Sequence, residues 1–174
     1  YECEKWLAHA IDSIVGQSRP PDGIVVVDDA SAVAPADIVR QFPGVTLLQA
    51  QSNVGPYRLI QSVIERTQYD AYMQQDSDAW SSSERPALLL AEAERSGAEL
   101  LGSALSNVHS SAQGDSRIQS LPTDVNAAFL EKPEGWHLSW GTSMVSRDLV
   151  LRVGGLAGVR FGGDREFTSR AHHV

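Results

Sequence analysis

The run Ile24-Val25-Val26-Val27 is β-branched and apolar without alternation, and it breaks at Asp28-Asp29. A strand with no polar face is one covered on both sides, as inside a parallel sheet with helices above and below. The flanking segments fit that constraint. Upstream, Glu4 to Gln17 carries Trp6, Leu7, Ala10, Ile11, Ile14 and Val15 at the spacing of one helical face. The turn cluster Ser18-Arg19-Pro20-Pro21-Asp22-Gly23 ends that helix. Downstream, Pro35 to Phe42 reads as a short helix and Val45 to Leu48 as a second strand. Pro56 is well placed in the first turn of a helix running from about Tyr57 to Thr67. A strand leading into Asp76, a helix from about Glu84 to Arg95 and a strand near Ala98 to Ala104 follow. Short alternating units of this kind predict an α/β fold, a three-layer α/β/α sandwich around a mostly parallel, Rossmann-like central sheet.

The second acidic strand end carries more chemistry than the first. Ala71-Tyr72-Met73-Gln74-Gln75 runs into Asp76-Ser77-Asp78. On an extended backbone the side-chain period of two puts both carboxylates on one side. Hard oxygen pairs of this type suit Mg²⁺ or Mn²⁺, which complete their shells with water and substrate phosphates. The alternative is a solvated turn, for which Asp and Ser are ordinary residues. Asp28-Asp29 and Asp76-x-Asp78 would open onto the same sheet edge, where α/β sheets bind ligands. Like charges gathered there repel unless a cation or a donor-rich ligand is present.

Past Leu105 the pattern weakens. Ser106 to Ser120 is rich in Ser, Asn, Gly and Gln and reads as an exposed loop. Asp124 to Leu130 reads as a short helix, and Trp136 to Val145 as a strand with a close backbone approach at Gly141. Arg147 to Val153 is a helix stopped by Gly154-Gly155, and Gly162-Gly163-Asp164 introduces a last helix carrying Glu166, Arg170, His172 and His173.

Composition removes several function classes. A formal net charge of −8 over 174 residues speaks against a nucleic-acid partner, which would favour a basic face. No apolar run approaches the ~18 residues of a membrane-spanning helix. The one cysteine, Cys3, excludes an internal disulfide, fits a reducing compartment and reads as a small buried hydrophobe.

The ordered set of motifs resembles the family 2 glycosyltransferases. Leu7…Ala10-Ile11-x-Ser13-Ile14…Gln17 and Ile24-Val25-Val26-Val27-Asp28-Asp29-Ala30-Ser31 look like the family's opening, followed by Asn53-x-Gly55 and the Asp76-Ser77-Asp78 triplet. Gly141-Thr142-Ser143-Met144…Arg147, Gly154-Gly155-Leu156 and Phe161-Gly162-Gly163-Asp164-x-Glu166-Phe167…Arg170 complete the order. The resemblance implies a GT-A fold that transfers a sugar from a nucleoside-diphosphate donor, most simply a UDP-sugar, with inversion at the anomeric centre. It implies that Asp28 or Asp29 contacts the base, that Arg58 meets base or phosphate, and that Asp76 lies near ribose and metal. Asp78 is then the principal ligand of Mn²⁺ or Mg²⁺, and Asp164 the base that deprotonates the acceptor hydroxyl. Trp140, Gly141 and Glu166 would face a saccharide or lipid-linked acceptor. The implied setting is bacterial cell-surface polysaccharide or lipopolysaccharide synthesis in the cytoplasm, with a peripheral place at the inner membrane face.

Several positions leave alternatives open. Asp164 could instead be a helix N-cap, the less favoured reading, and Arg58 could equally be a solvent-facing helix residue. Ala79 stands where many relatives carry a further Asp. His172 or His173 could supply an imidazole to the metal, and Trp136 or Trp140 could stack on a sugar or fill the core. The family's first apolar strand, which lies inside the sheet, has no counterpart before Tyr1. Together with the non-Met start, this makes the expected unit a single GT-A domain over residues 1–174, truncated at its N-terminus and open to continuation at its C-terminus. A sugar nucleotidyltransferase, a D-x-D phosphatase and a non-catalytic nucleotide-sugar-binding module are the competing readings.

Overall fold

The computed structural model describes residues 4–108, 116–135 and 137–174. Glu4–Val15 forms α1, which turns Leu7, Ala10 and Ile11 inward. The β-branched run becomes β1 (Ile24–Asp28), and Val45–Gln49 becomes β2. The two pair in parallel, Ile24 opposite Val45 through to Asp28 opposite Gln49, and a single turn of helix, α2 (Ala36–Val39), lies between them in sequence. Leu7, Ile11 and Val39 make a small core with Val26, Val45 and Leu47 packed against it.

The larger core is built elsewhere. Pro56–Arg66 is α3, Ala71–Met73 is β3, Arg85–Ser96 is α4 and Leu100–Gly102 is β4. After Leu105–Val108 (β5), Ser116–Gln119 (β6) and Val125–Glu131 (α5), a short 3₁₀ turn at Trp140–Thr142 leads into β7 (Ser143–Ser146), α6 (Arg147–Arg152) and α7 (Gly163–Ala171). β7 runs antiparallel between β3 and β4. Alternation along it separates two cores. Met144 packs with Leu89 of α4 and Leu101 of β4, whereas Val145 packs with Tyr57 and Ile64 of α3, Val150 of α6 and Phe167 of α7. Val145, Val150 and Phe167 are fully enclosed.

Local chemistry sets the boundaries. Pro56 occupies the first turn of α3, and Gly97 ends α4 in the left-handed region (φ 71°), where only glycine sits without strain. Asp124 caps α5 by accepting from the Ala127 amide, and Ser146 caps α6 by accepting from that of Leu149.

Several expectations are corrected. The sheet is not mostly parallel: β1–β2 is parallel, while β3–β7, β4–β7 and β5–β6 are antiparallel. Strand–helix alternation does place β3 and β4 parallel to each other, but β7 inserts between them from far along the chain. Ile24 to Val27 is half-buried rather than enclosed, because β1 has only β2 as a strand neighbour among the described residues. Within 106–120 the polar composition hides β5 and β6, which pair from Leu105–Gln119 to Val108–Ser116. That ladder rests on backbone hydrogen bonds and leaves Ile118 71% exposed, so no core face marked it in the sequence. The strand expected over 136–145 is reduced to its last part, because the 3₁₀ turn occupies Trp140–Thr142. Trp136 and Cys3 lie outside the described residues. No helix among the described residues is long and apolar enough to cross a membrane.

Candidate active site

β3 stops at Met73, and the backbone then departs from the strand. The Ala79 amide donates to the Asp76 carbonyl at 3.2 Å, so Asp76 to Ala79 form a tight turn rather than the extended D-x-D the sequence suggested. The turn still gathers the two carboxylates. Burial first, then the neighbouring Asp78 charge and the Asp164 charge, push the Asp76 carboxyl above its ordinary range, with Arg85 opposing them. Although the Asp76 side chain keeps a solvent-facing side, protein crowds its carboxyl group. The Gly141 α-carbon lies against it, and a Cβ there would stand 2.1 Å from Asp76 Oδ2. The close backbone approach anticipated at Gly141 is therefore made by this carboxylate.

Asp164 enters from α7. The N-cap position belongs to Gly162, held in the left-handed region at φ 71°, and Asp164 sits one residue inside the helix. Its side chain is turned inward instead of capping: Tyr57 Oη donates to Asp164 Oδ1 at 3.0 Å. Burial, joined by the Asp164 and Asp76 charges, raises the Tyr57 hydroxyl above its usual range. Asp76, Asp78 and Asp164, drawn from a turn and a helix far apart in sequence, thus share one electrostatic neighbourhood.

The first acidic pair is more deeply set. Asp28 is buried and accepts from the Ser31 amide (3.2 Å), the Ser31 hydroxyl (2.6 Å) and Gln49 Nε2 (3.3 Å). Burial alone would raise its carboxyl, but these hydrogen bonds outweigh burial and hold it below the usual range. Asp28 and Ser31 line a shallow pocket together with Ser77, the residue between Asp76 and Asp78. Asp29 is also buried, and its two oxygens accept from the Val54 amide at 2.7 Å and the Gly55 amide at 2.9 Å. It fastens β1 to the loop that opens α3. Gly55 at φ 92° is needed for that turn.

The remaining candidates each have protein partners. Arg58 is exposed and its Nε donates to the Gly158 carbonyl at 3.1 Å. Glu166 receives two hydrogen bonds from Arg170, at 2.5 and 2.7 Å, and the same guanidinium reaches the Val153 and Gly155 carbonyls. The Trp140 ring packs on Tyr57 and Phe167, at 6.4 and 5.6 Å between centroids. It is a core ring with a buried, unpartnered Nε1 among the described residues. His172 stacks on Phe129 at 4.3 Å and its Nδ1 lies 3.2 Å from Asn126 Oδ1, which holds it to α5.

Sequence reasoning missed Arg85. It lies in the first turn of the helix expected from about Glu84 to Arg95, with no role read for it, yet it is 6% exposed. It donates to Gln75 Oε1, Ser81 Oγ and the carbonyls of Gln74, Gly141 and Ser143. Burial pulls its pKa down to about 10, with Asp76 resisting, so it stays charged at neutral pH. This guanidinium ties both arms of the Asp76 turn to the Gly141 segment. The only signal was an Arg ahead of Pro86 in a helix start, which is too common to read.

The donor set fits a hard divalent cation. Asp76 and Asp78 offer carboxylate oxygens in a neighbourhood whose mutual repulsion a cation would relieve. Among the described residues no group of three or more His, Cys, Asp or Glu side chains is arranged to hold a metal by itself. Water and phosphate oxygens would have to supply the remaining ligands.

The model of glycosyl transferase family 2 matches residues 1–154. No curated protein matches the chain. Among solved structures, it is similar to Staphylococcus aureus TarS 1–349 in complex with UDP, with a TM-score of 0.75 at 19% identity over 99% of this chain and 52% of that one. The same TarS segment in complex with UDP-GlcNAc gives a TM-score of 0.75 at 19% identity, covering 99% and 51%. The mannosyltransferase PcManGT from Pyrobaculum calidifontis, in complex with GDP-Man and Mn²⁺, gives 0.73 at 17% identity, covering 98% and 49%. At these identities the likeness is one of fold, and this chain spans about half of each of these solved chains.

Proposed function

The chain belongs to glycosyl transferase family 2, and from that premise we propose that it performs inverting, metal-dependent transfer of a sugar from a nucleoside-diphosphate sugar to an acceptor hydroxyl. The observation that carries the proposal is the carboxylate of Asp76 seated against the Gly141 backbone in a turn it shares with Asp78, with Asp164 turned into the same neighbourhood. An acidic cluster at the end of a sheet strand, with glycine backbone against it, is suited to a cation and a diphosphate. The solved neighbours carry UDP, UDP-GlcNAc and GDP-Man with Mn²⁺, which supports a UDP- or GDP-sugar as the donor.

In this reading Asp76 and Asp78 hold Mn²⁺ or Mg²⁺. When bound, the ion neutralises charge on the departing diphosphate. Asp28 lines the pocket that Ser77 also lines, which supports it over Asp29 as the residue of the first acidic pair that meets the base. Arg58, exposed in the first turn of α3, supplies positive charge to the base or phosphate. Asp164 Oδ2 takes the acceptor proton, a role that commonly contributes about 10²–10⁴-fold in rate. In the same reading Trp140, Gly141 and Glu166 face the acceptor saccharide or lipid-linked sugar, with Trp140 held by Tyr57 and Phe167 and Glu166 held by Arg170.

The same reading takes the domain as a three-layer GT-A unit, supported by Met144 and Val145 packing against different helices. The open edges of β1 and β3 support one further strand that neither finds among the described residues. Cell-surface polysaccharide assembly, at the cytoplasmic side of the membrane, is the proposed setting. The test is release of UDP or GDP from a panel of nucleotide sugars with Mn²⁺. Loss of turnover in both Asp78→Ala and Asp164→Asn is expected, and undiminished turnover in either would refute the role of the residue replaced.

A further inference from the structure

Tyr57 neither touches the cation's carboxylates nor takes a proton in the transfer reaction. Its ring belongs to the main core and is 9% exposed, yet its hydroxyl ends at Asp164 Oδ1, 3.0 Å away. The approach depends on Gly163, because a Cβ there would lie 2.6 Å from Tyr57 Cδ2. A side chain just ahead of Asp164 would therefore push the phenol ring away. The Trp140 ring packs against Tyr57 as well. Among the described residues no hydrogen bond engages Asp164 Oδ2. A rigid, core-anchored donor on one carboxylate oxygen leaves the other as the oxygen for a substrate proton.

We propose that Tyr57 is a positioning residue for sugar transfer, fixing Oδ1 of Asp164 so that Oδ2 faces the acceptor hydroxyl. The inference rests on Asp164 acting as the base. In the step it serves, the acceptor oxygen bonds to the anomeric carbon as that carbon's bond to the diphosphate oxygen breaks. The electron pair of the broken bond leaves on the diphosphate, and the acceptor proton moves to Asp164 Oδ2. Tyr57 sets the carboxylate's angle. Small misplacements of a reacting group can cost about 100-fold in rate.

The test is a double-mutant cycle in the purified protein, using the donor in a panel of UDP-, GDP- and dTDP-sugars that the wild type turns over. Tyr57→Phe should lower kcat about 10- to 100-fold with the donor KM unchanged within about twofold. Adding Asp164→Asn to Tyr57→Phe should cost no more than Asp164→Asn alone, because a group that works through the carboxylate has nothing to position once the base is gone. Gly163→Ala, which keeps the hydroxyl but displaces the ring, should reproduce the kcat loss, and it serves if Tyr57→Phe does not fold. Unchanged kcat in the folded variant, or additive losses in the double mutant, would overturn the role of Tyr57 while leaving Asp164 as the base. Full turnover by Asp164→Asn, or no turnover of any donor by the wild type, would instead remove the base reading and this inference with it.

Discussion

The Asp76 carboxylate closes over the α-carbon of Gly141, so near that any Cβ there would overlap Oδ2. A glycine at that point is a steric requirement of the carboxylate's position, since nothing in the Gly141 backbone angles demands one. Gly141→Ala should therefore leave the fold in place while turning Asp76 away. The expected result is loss of Mn²⁺-dependent thermal stabilisation with a melting temperature, in chelator, within a few degrees of wild type. An unaltered Mn²⁺ response would show that Asp76 does not take part in holding the ion.

The raised Asp76 carboxyl carries a pH dependence of definite sign. A group whose folded pKa lies above its unfolded value favours folding below the unfolded value, near 3.9 for Asp, and that contribution is withdrawn as pH rises through the folded value. At neutral pH the ionised Asp76 is thus a net liability beside Asp78 and Asp164. Asp76→Asn should melt higher than wild type at pH 7 without metal, and the advantage should shrink toward pH 4. Differential scanning calorimetry at the two pH values decides it; a lower melting temperature for the variant at pH 7 would contradict the assignment.

Arg85 makes a different kind of prediction, because its hydrogen bonds link the Asp76 turn to the start of β7. Arg85→Met keeps a long side chain but leaves the Gln74 and Gly141 carbonyls short of a donor. Buried groups left unpaired cost about 1–3 kcal/mol each, so urea titration should show a loss of about 2 kcal/mol or more. Hydrogen exchange should rise first in residues 74–81. A variant as stable as wild type would mean that water replaces the guanidinium.

These sites differ in how far the sequence disclosed them. Helices α1, α3, α4, α6 and α7 were legible because each carries an apolar face or a Pro or Gly boundary, and the acidic ends of β1 and β3 were legible because carboxylates interrupt apolar runs. Strand direction was not. β7 is separated from β3 and β4 by tens of residues, and no local pattern records whether a distant segment runs with or against its neighbours. Arg85 was hidden for a related reason: its burial comes from the Gln74–Ser81 turn and the Gly141–Ser143 segment folding over it, which composition cannot register. The β5–β6 ladder was missed because it buries little, and a polar strand pair looks like a polar loop.

The central place of β7 also bears on how the chain is made. Among the described residues, β3 and β4 find the strand they share only when residues 143–146 have left the ribosome, so until then these two short apolar segments lack that partner. Ordering over such separations is slow relative to helix formation, and it makes the segment that presents Gly141 to Asp76 a late one to assemble. The acidic centre is thereby among the final features to take shape, and a nascent chain interrupted before β7 would have helices but no site.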